Sequence, residues 1–326
     1  MAAGLAAAAL TACGGGGDIS SSLEAVFSAR TAGKLEIFAV DTAGARIRRL
    51  SDVDGSDSAP AWSSNRQQIA FLSDRDGVPA VWLMDAVGQS ERRAFPNELG
   101  QVTRFFWAPD SRRISYEVVR AGAAEVVIGD VSSGKKSTLV QGLGQVQLGG
   151  WSPDGVWVLY TVLDGPEQGV HRKNPAGVDS VRLTMDRDLN PRWSGDGKRV
   201  AFNRRAGDGS LWLVTADRDG RNEKVVYQRP RSDPEFDWSP DGKRLAFVSD
   251  GDGTPEVYVA TADGKRVTRL TSNQAAERWP RWSRDGRTIL FLSDSDGDFD
   301  MYTMQPDGSS QTRVADTDED EQEPDW

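Results

Sequence analysis

The sequence predicts an all-β fold, a seven-bladed propeller of four-stranded antiparallel blades, with six blades as the alternative. Three observations carry this. A Trp recurs about every 44 residues, a second aromatic follows it at a fixed distance, and Asp-Gly turns separate short apolar runs.

The inner strand of each blade ends on the Trp. Trp62, Trp107, Trp151, Trp193, Trp238, Trp282 and Trp326 are spaced by 45, 44, 42, 45, 44 and 44 residues. Four of them open a turn: Trp151-Ser-Pro-Asp-Gly155, Trp193-Ser-Gly-Asp-Gly197, Trp238-Ser-Pro-Asp-Gly242 and Trp282-Ser-Arg-Asp-Gly286. Pro suits the first central position of a type I turn, and Gly supplies the positive φ that ends a bulged hairpin. The second strand carries an aromatic nine residues on: Phe71, Tyr116, Tyr160, Phe202, Phe247 and Phe291. A polar turn leads to the third strand, as in Glu256-Val-Tyr-Val-Ala260, and another leads to the fourth, as in Arg266-Val-Thr-Arg-Leu270.

Residues 25–50 match this pattern without the leading Trp, with Phe27 in the second-strand aromatic position. The ending Glu323-Pro-Asp-Trp326 matches Asn190-Pro-Arg-Trp193 and Trp279-Pro-Arg-Trp282. The first blade is therefore expected to be split. Its inner strand comes from the C-terminal residues, which closes the ring and removes open sheet edges.

The Trp-Ser-Pro-Asp-Gly turns and the Ala-Phe-x-Ser-Asp strand ends resemble TolB-type (WD-like) propeller repeats over residues 25–326. The resemblance implies the propeller fold; such repeats occur in envelope proteins, peptidase accessory domains and polysaccharide-related proteins, and propellers in general bind partners at an axial face. TolB itself adds an N-terminal α/β domain and has six blades. Residues 1–24 are too few for that domain, so a literal Tol–Pal role is not expected.

Cys13 is the one cysteine, which precludes an intramolecular disulfide. It ends the apolar run Ala2–Ala12, and Leu10-Thr11-Ala12-Cys13 resembles a bacterial lipobox. Residues 1–13 then read as a lipoprotein signal ending at a lipidated Cys13, and residues 14–24 as a flexible tether. The expected location is the bacterial envelope: the periplasmic face of the outer membrane or the cell surface. No basic residue precedes the apolar run, so the natural start is expected upstream of Met1.

The net charge of -10 excludes nucleic acid as a main partner, since phosphate binding needs a basic footprint. Residues 316–325, DTDEDEQEPD, read as a solvated acidic loop. His171, the single histidine, falls eleven residues after Tyr160, where other blades place third-strand aromatics. It reads as a packing residue. There is no second histidine and no Gly-x-Ser-x-Gly elbow, so no hydrolytic site is expected. The chain is read as a monomeric non-enzyme without a cofactor.

Three candidate sites remain. Asp294, Asp296, Asp298 and Asp300 alternate around a Gly, as at the start of a calcium loop, and form a weak metal candidate. The loops entering the inner strands carry Asp57, Arg104, Gln145, Asp188, Glu235, Glu277 and Glu323, expected to form a polar axial face for a partner protein. The residue before the Trp alternates in charge over the last four blades: Arg192, Asp237, Arg281 and Asp325. These four are expected to form an inter-blade ion-pair belt, with Asp325 latching to Arg281. A glycan-binding or glycan-cleaving propeller is the alternative; Trp279 and Phe106 are the aromatics placed to serve it.

Overall fold

A computed structural model describes residues 24–41, 46–177, 179–207, 209–228, 235–317 and 320–326. Among these residues, seven four-stranded sheets form, each antiparallel throughout. Blade 2 illustrates the order: Asp57–Trp62 inside, then Gln68–Ser73, Ala80–Asp85 and Arg92–Arg93 outward. The other inner strands are Gln101–Trp107, Val146–Trp151, Asp188–Trp193, Phe236–Trp238 and Glu277–Trp282. Blade 1 is split as expected. Glu321–Asp325 pairs with Glu24–Thr31, and lies beside the inner strands of blades 7 and 2. The acidic stretch 316–325 is thus not simply a solvated loop. Its second half is this closing strand, in which Glu321 is buried because the strand sits between two blades.

The Trp-Ser-x-Asp-Gly turn is held by its own side chains. The Ser152 hydroxyl accepts the Trp157 N–H at 2.9 Å, and Gly155 N–H donates to the Ser152 carbonyl at 2.8 Å. Gly155 has φ 69°, which only Gly adopts freely. The same Ser bond recurs at Ser194, Ser239 and Ser283.

The core lies between blades rather than within one. Seven buried clusters are found among the described residues, and each draws on two adjacent blades. The second-strand aromatics anchor them: Phe27, Phe71, Tyr116, Phe202 and Phe247 are fully buried, with Tyr160 and Phe291 nearly so. A blade alone would expose both faces, so the ring is the stable unit. His171 pairs with Tyr160 across the strands and stacks on it, with ring centres 5.1 Å apart. Phe247–Tyr258 and Phe291–Tyr302 stack the same way. Burial lowers the His171 pKa, and its Nε2 lies 2.7 Å from the Glu167 carbonyl.

Candidate functional site: the axial cavity

The inner strands surround a cavity of about 670 Å³. Its shape follows from a bulge in the inner strand. The pairing of the first two strands slips between Ser58 and Ala61, Leu189 and Arg192, and Arg278 and Arg281. Ala59, Asn190, Trp279 and Glu323, each three residues before the repeat Trp, take φ of 49°, 51°, 45° and 52°. Such a bulge removes a backbone N–H from its ladder and bends the strand.

The freed donors are taken up by the preceding blade. Glu323 Oε2 accepts the Ala59 N–H at 2.7 Å, and Asp325 Oδ2 accepts the Trp62 N–H at 2.9 Å. One blade pair away, Glu235 Oε2 accepts the Trp279 N–H at 2.6 Å, and Asp237 Oδ2 accepts the Trp282 N–H at 2.8 Å. The repeated Glu-x-Asp-Trp of residues 235–238 and 323–326 is therefore a double staple between blades. Gln147 does the same for the Asn190 N–H at 2.6 Å, and Glu117 for Leu148 at 2.8 Å. Charge-assisted bonds of this kind are the stronger class. Burial raises the pKa of Glu235, Asp237 and Asp325, and the amide bonds and the Arg281 charge oppose it.

The four belt residues all line this cavity. The short-range partners of Asp237 and Asp325 are these amides; Arg281 acts on both through space rather than as a direct latch. Arg192 stacks on Phe106, its guanidinium carbon 4.4 Å from the ring centre.

The seven axial-face residues divide. Asp57, Asp188 and Glu277 are fully buried, which corrects their assignment to a partner-facing surface. Arg75 Nη2 pairs with Asp57 at 2.9 Å, and Arg204 Nε with Asp188 at 2.8 Å. Glu277 accepts from Asn273 Nδ2 at 3.0 Å and the Ser293 hydroxyl at 3.1 Å. Glu235 and Glu323 are staples. Arg104 lines the cavity, 3.7 Å from Glu117. Gln145 is exposed and donates to the Gly122 carbonyl at 3.2 Å.

In the calcium candidate, Asp294 Oδ1 accepts the Ala276 N–H at 2.6 Å. The carboxylates of Asp296, Asp298 and Asp300 lie within 4.8 Å of one another. Arg313 pairs with both Asp296 and Asp300. Asp300–Arg313 repeats Glu36–Arg49 and Glu256–Arg269, each acid 13 residues before its Arg. The guanidinium already serves the charge there. Cys13 lies outside the described residues.

Fold and cavity define a ring-closed seven-bladed propeller whose axis is lined by arginines and stapled by carboxylates. The TolB β-propeller domain model matches residues 21–165 and 189–326, and the chain belongs to that family. An uncharacterised protein of Agrobacterium fabrum is 28% identical over 188 residues, covering 53% of this chain and 62% of that protein. The Tol-Pal system protein TolB of Bordetella pertussis is 37% identical over 81 residues, 24% of this chain and 18% of that protein. The match thus spans less than two thirds of either relative. The oligogalacturonate lyase of Vibrio parahaemolyticus superposes with a TM-score of 0.69 over 86% of this chain and 85% of the lyase, at 14% identity. That likeness is one of fold.

Proposed function

We propose that this protein is a non-catalytic envelope lipoprotein, anchored through Cys13, whose propeller presents its axial face to another protein. The observation that carries this reading is the use of the carboxylates around the axis. Glu235, Asp237, Glu323 and Asp325 each hold a backbone N–H of the next blade, and Asp57 and Asp188 are buried against arginines. Acid–base catalysis needs a carboxyl free to take or give a proton at substrate. These are fixed to the frame, and the single histidine is buried in an aromatic stack. A rigid ring with a polar mouth is suited to docking a partner.

A photo-crosslinker at position 103, on the cavity rim, tests the reading in an envelope extract. A single envelope protein cross-linked in stoichiometric yield is the expected result. The reading fails if no protein is captured and a glycan array gives a specific ligand or a cleaved product. The Cys13→Ala variant separates the anchor from the scaffold: it is expected to leave the membrane fraction while the purified propeller keeps its melting temperature.

A further inference from the structure

The axial cavity holds cations whose donors find few protein acceptors. Arg192 rests its guanidinium on the Phe106 ring and, among the described residues, meets no hydrogen-bond acceptor at bonding distance. Arg281 donates to the carbonyl of its own neighbour Pro280 at 3.3 Å. Arg104 reaches the Leu148 carbonyl at 3.4 Å. The acids near them are held to the wall by backbone amides: Asp237 at Trp282, Asp325 at Trp62, and Glu117, which lies 3.7 Å from Arg104, at Leu148. Burial, and then the like charges of Arg281 and Arg104, disfavour the charged form of Arg192. Four arginines line this one cavity of about 670 Å³; Arg284 donates to the Ser64 carbonyl at 3.0 Å, which leaves Arg192, Arg281 and Arg104 as the three with weaker partners.

The geometry points to a carboxylate-binding site at the axis, formed by Arg192, Arg281 and Arg104, that receives an acidic segment of the partner protein. This rests on the scaffold reading above and names the chemistry of its partner. A guanidinium is a planar fork of five donors that matches a carboxylate's two oxygens. The cavity falls within the range of sites that bury most of a small ligand, and it takes the side chains of a few extended residues. A sugar fits less well. Sugar hydroxyls call for free carboxylate acceptors and open ring faces. Here Asp237 and Asp325 each give one oxygen to a backbone amide, the Phe106 face lies under Arg192, and Trp279, which lines the cavity, packs against the cluster around Trp326.

Calorimetric titration of the whole chain with penta-glutamate at low salt tests this. Binding is expected, with penta-glutamine inert. Arg192→Gln and Arg281→Gln are each expected to weaken it by about ten-fold or more. Lys243→Gln, on an exposed turn, is expected to leave it unchanged. Equal affinity in all variants would reduce the effect to net surface charge and overturn the site. Binding of tri-galacturonate in preference to the peptide would replace it with a glycan site. No heat from either ligand would remove it. Arg192→Lys keeps a charge and loses the fork, so weakened binding with unchanged melting excludes misfolding as the cause. Cross-linking at position 103 that persists in Arg192→Gln would leave the scaffold reading standing while this inference fell.

Discussion

The ring has two unlike halves. In blades 2 to 4 the residue before the Trp is Ala61, Phe106 or Gly150; in blades 5 to 7 and blade 1 it is Arg192, Asp237, Arg281 or Asp325. The inter-blade cores are alike in both halves, each built on a fully or almost fully buried aromatic. The axis is where they differ. The uncharged half supplies volume: Phe106 reaches across Gly150, where an added Cβ would meet the ring at 3.3 Å, and supports Arg192. The charged half supplies the double carboxylate staples and most of the cavity's guanidiniums. The repeat thus fixes the ring, and the position before each Trp is free to specialise the axis.

If the cores are equivalent, truncating either one must cost the same. Phe71→Ala in blade 2 and Phe247→Ala in blade 6 remove fully buried rings, and each is expected to lose about 3–5 kcal/mol in urea unfolding. A difference larger than the smaller of the two losses would break the comparison. The double carboxylate staples belong to the charged half. Asp325→Ala and Asp237→Ala leave the Trp62 and Trp282 N–H groups without their partners, at an expected cost of about 1–3 kcal/mol each. Asp325→Asn keeps an acceptor and is expected to retain most of that stability; equal loss in both variants would assign the effect to packing.

A third test uses pH. Five residues before the repeat Trp stand Asp57, Val102 and Val146 in the uncharged half, and Asp188, Glu277 and Glu321 in the charged half; Asp57 and Asp188 each have an Arg partner. Burial, with the Glu256 charge beside it, raises Glu277 from 4.5 to about 7. Below pH 4.5 the carboxyl is protonated folded or unfolded and has no effect. Between 4.5 and about 7 the folded protein keeps a proton that the unfolded chain releases, so stability falls as pH rises; above 7 the full cost is present. Glu277→Gln is therefore expected to stabilise by on the order of 1–3 kcal/mol at pH 8 and by nothing at pH 4. A pH-independent change in melting would show that the charge is not the cause.

The ring itself was legible because strands and turns are written in period and residue type: Trp, aromatic and Asp-Gly recur visibly. The split blade was legible from Trp326 for the same reason. The roles of the acids were not. The bulge positions are Ala59, Asn190, Trp279 and Glu323, which share a backbone conformation and no chemistry. Asp57, Asp188 and Glu277 read as loop acids, because burial depends on what packs over them: Arg75, Arg204 and Ser293 come from the neighbouring strand side, 16 to 18 residues on. Two signals were present all the same. Glu-x-Asp-Trp occurs twice, and an acid stands 13 residues before an Arg in blades 1, 6 and 7. Each marks a repeated contact rather than a site.

The smallest effect is expected at Gly150, where the two halves touch. Its φ of 92° disfavours any side chain, and an added methyl would press on Phe106. Gly150→Ala is expected to cost about 1 kcal/mol from backbone conformation, with a further loss as the ring shifts. The second part is the informative one. Phe106 carries Arg192, so moving the ring displaces a guanidinium contributed by the other half without altering any charge. Penta-glutamate affinity should therefore fall in Gly150→Ala although every arginine is intact. Gly155→Ala, at a φ of 69° in a turn where an added Cβ meets nothing closer than 3.9 Å, also places a side chain at positive φ and serves as the control. If both variants lose stability alike and neither loses affinity, the two halves of the axis do not communicate through Phe106.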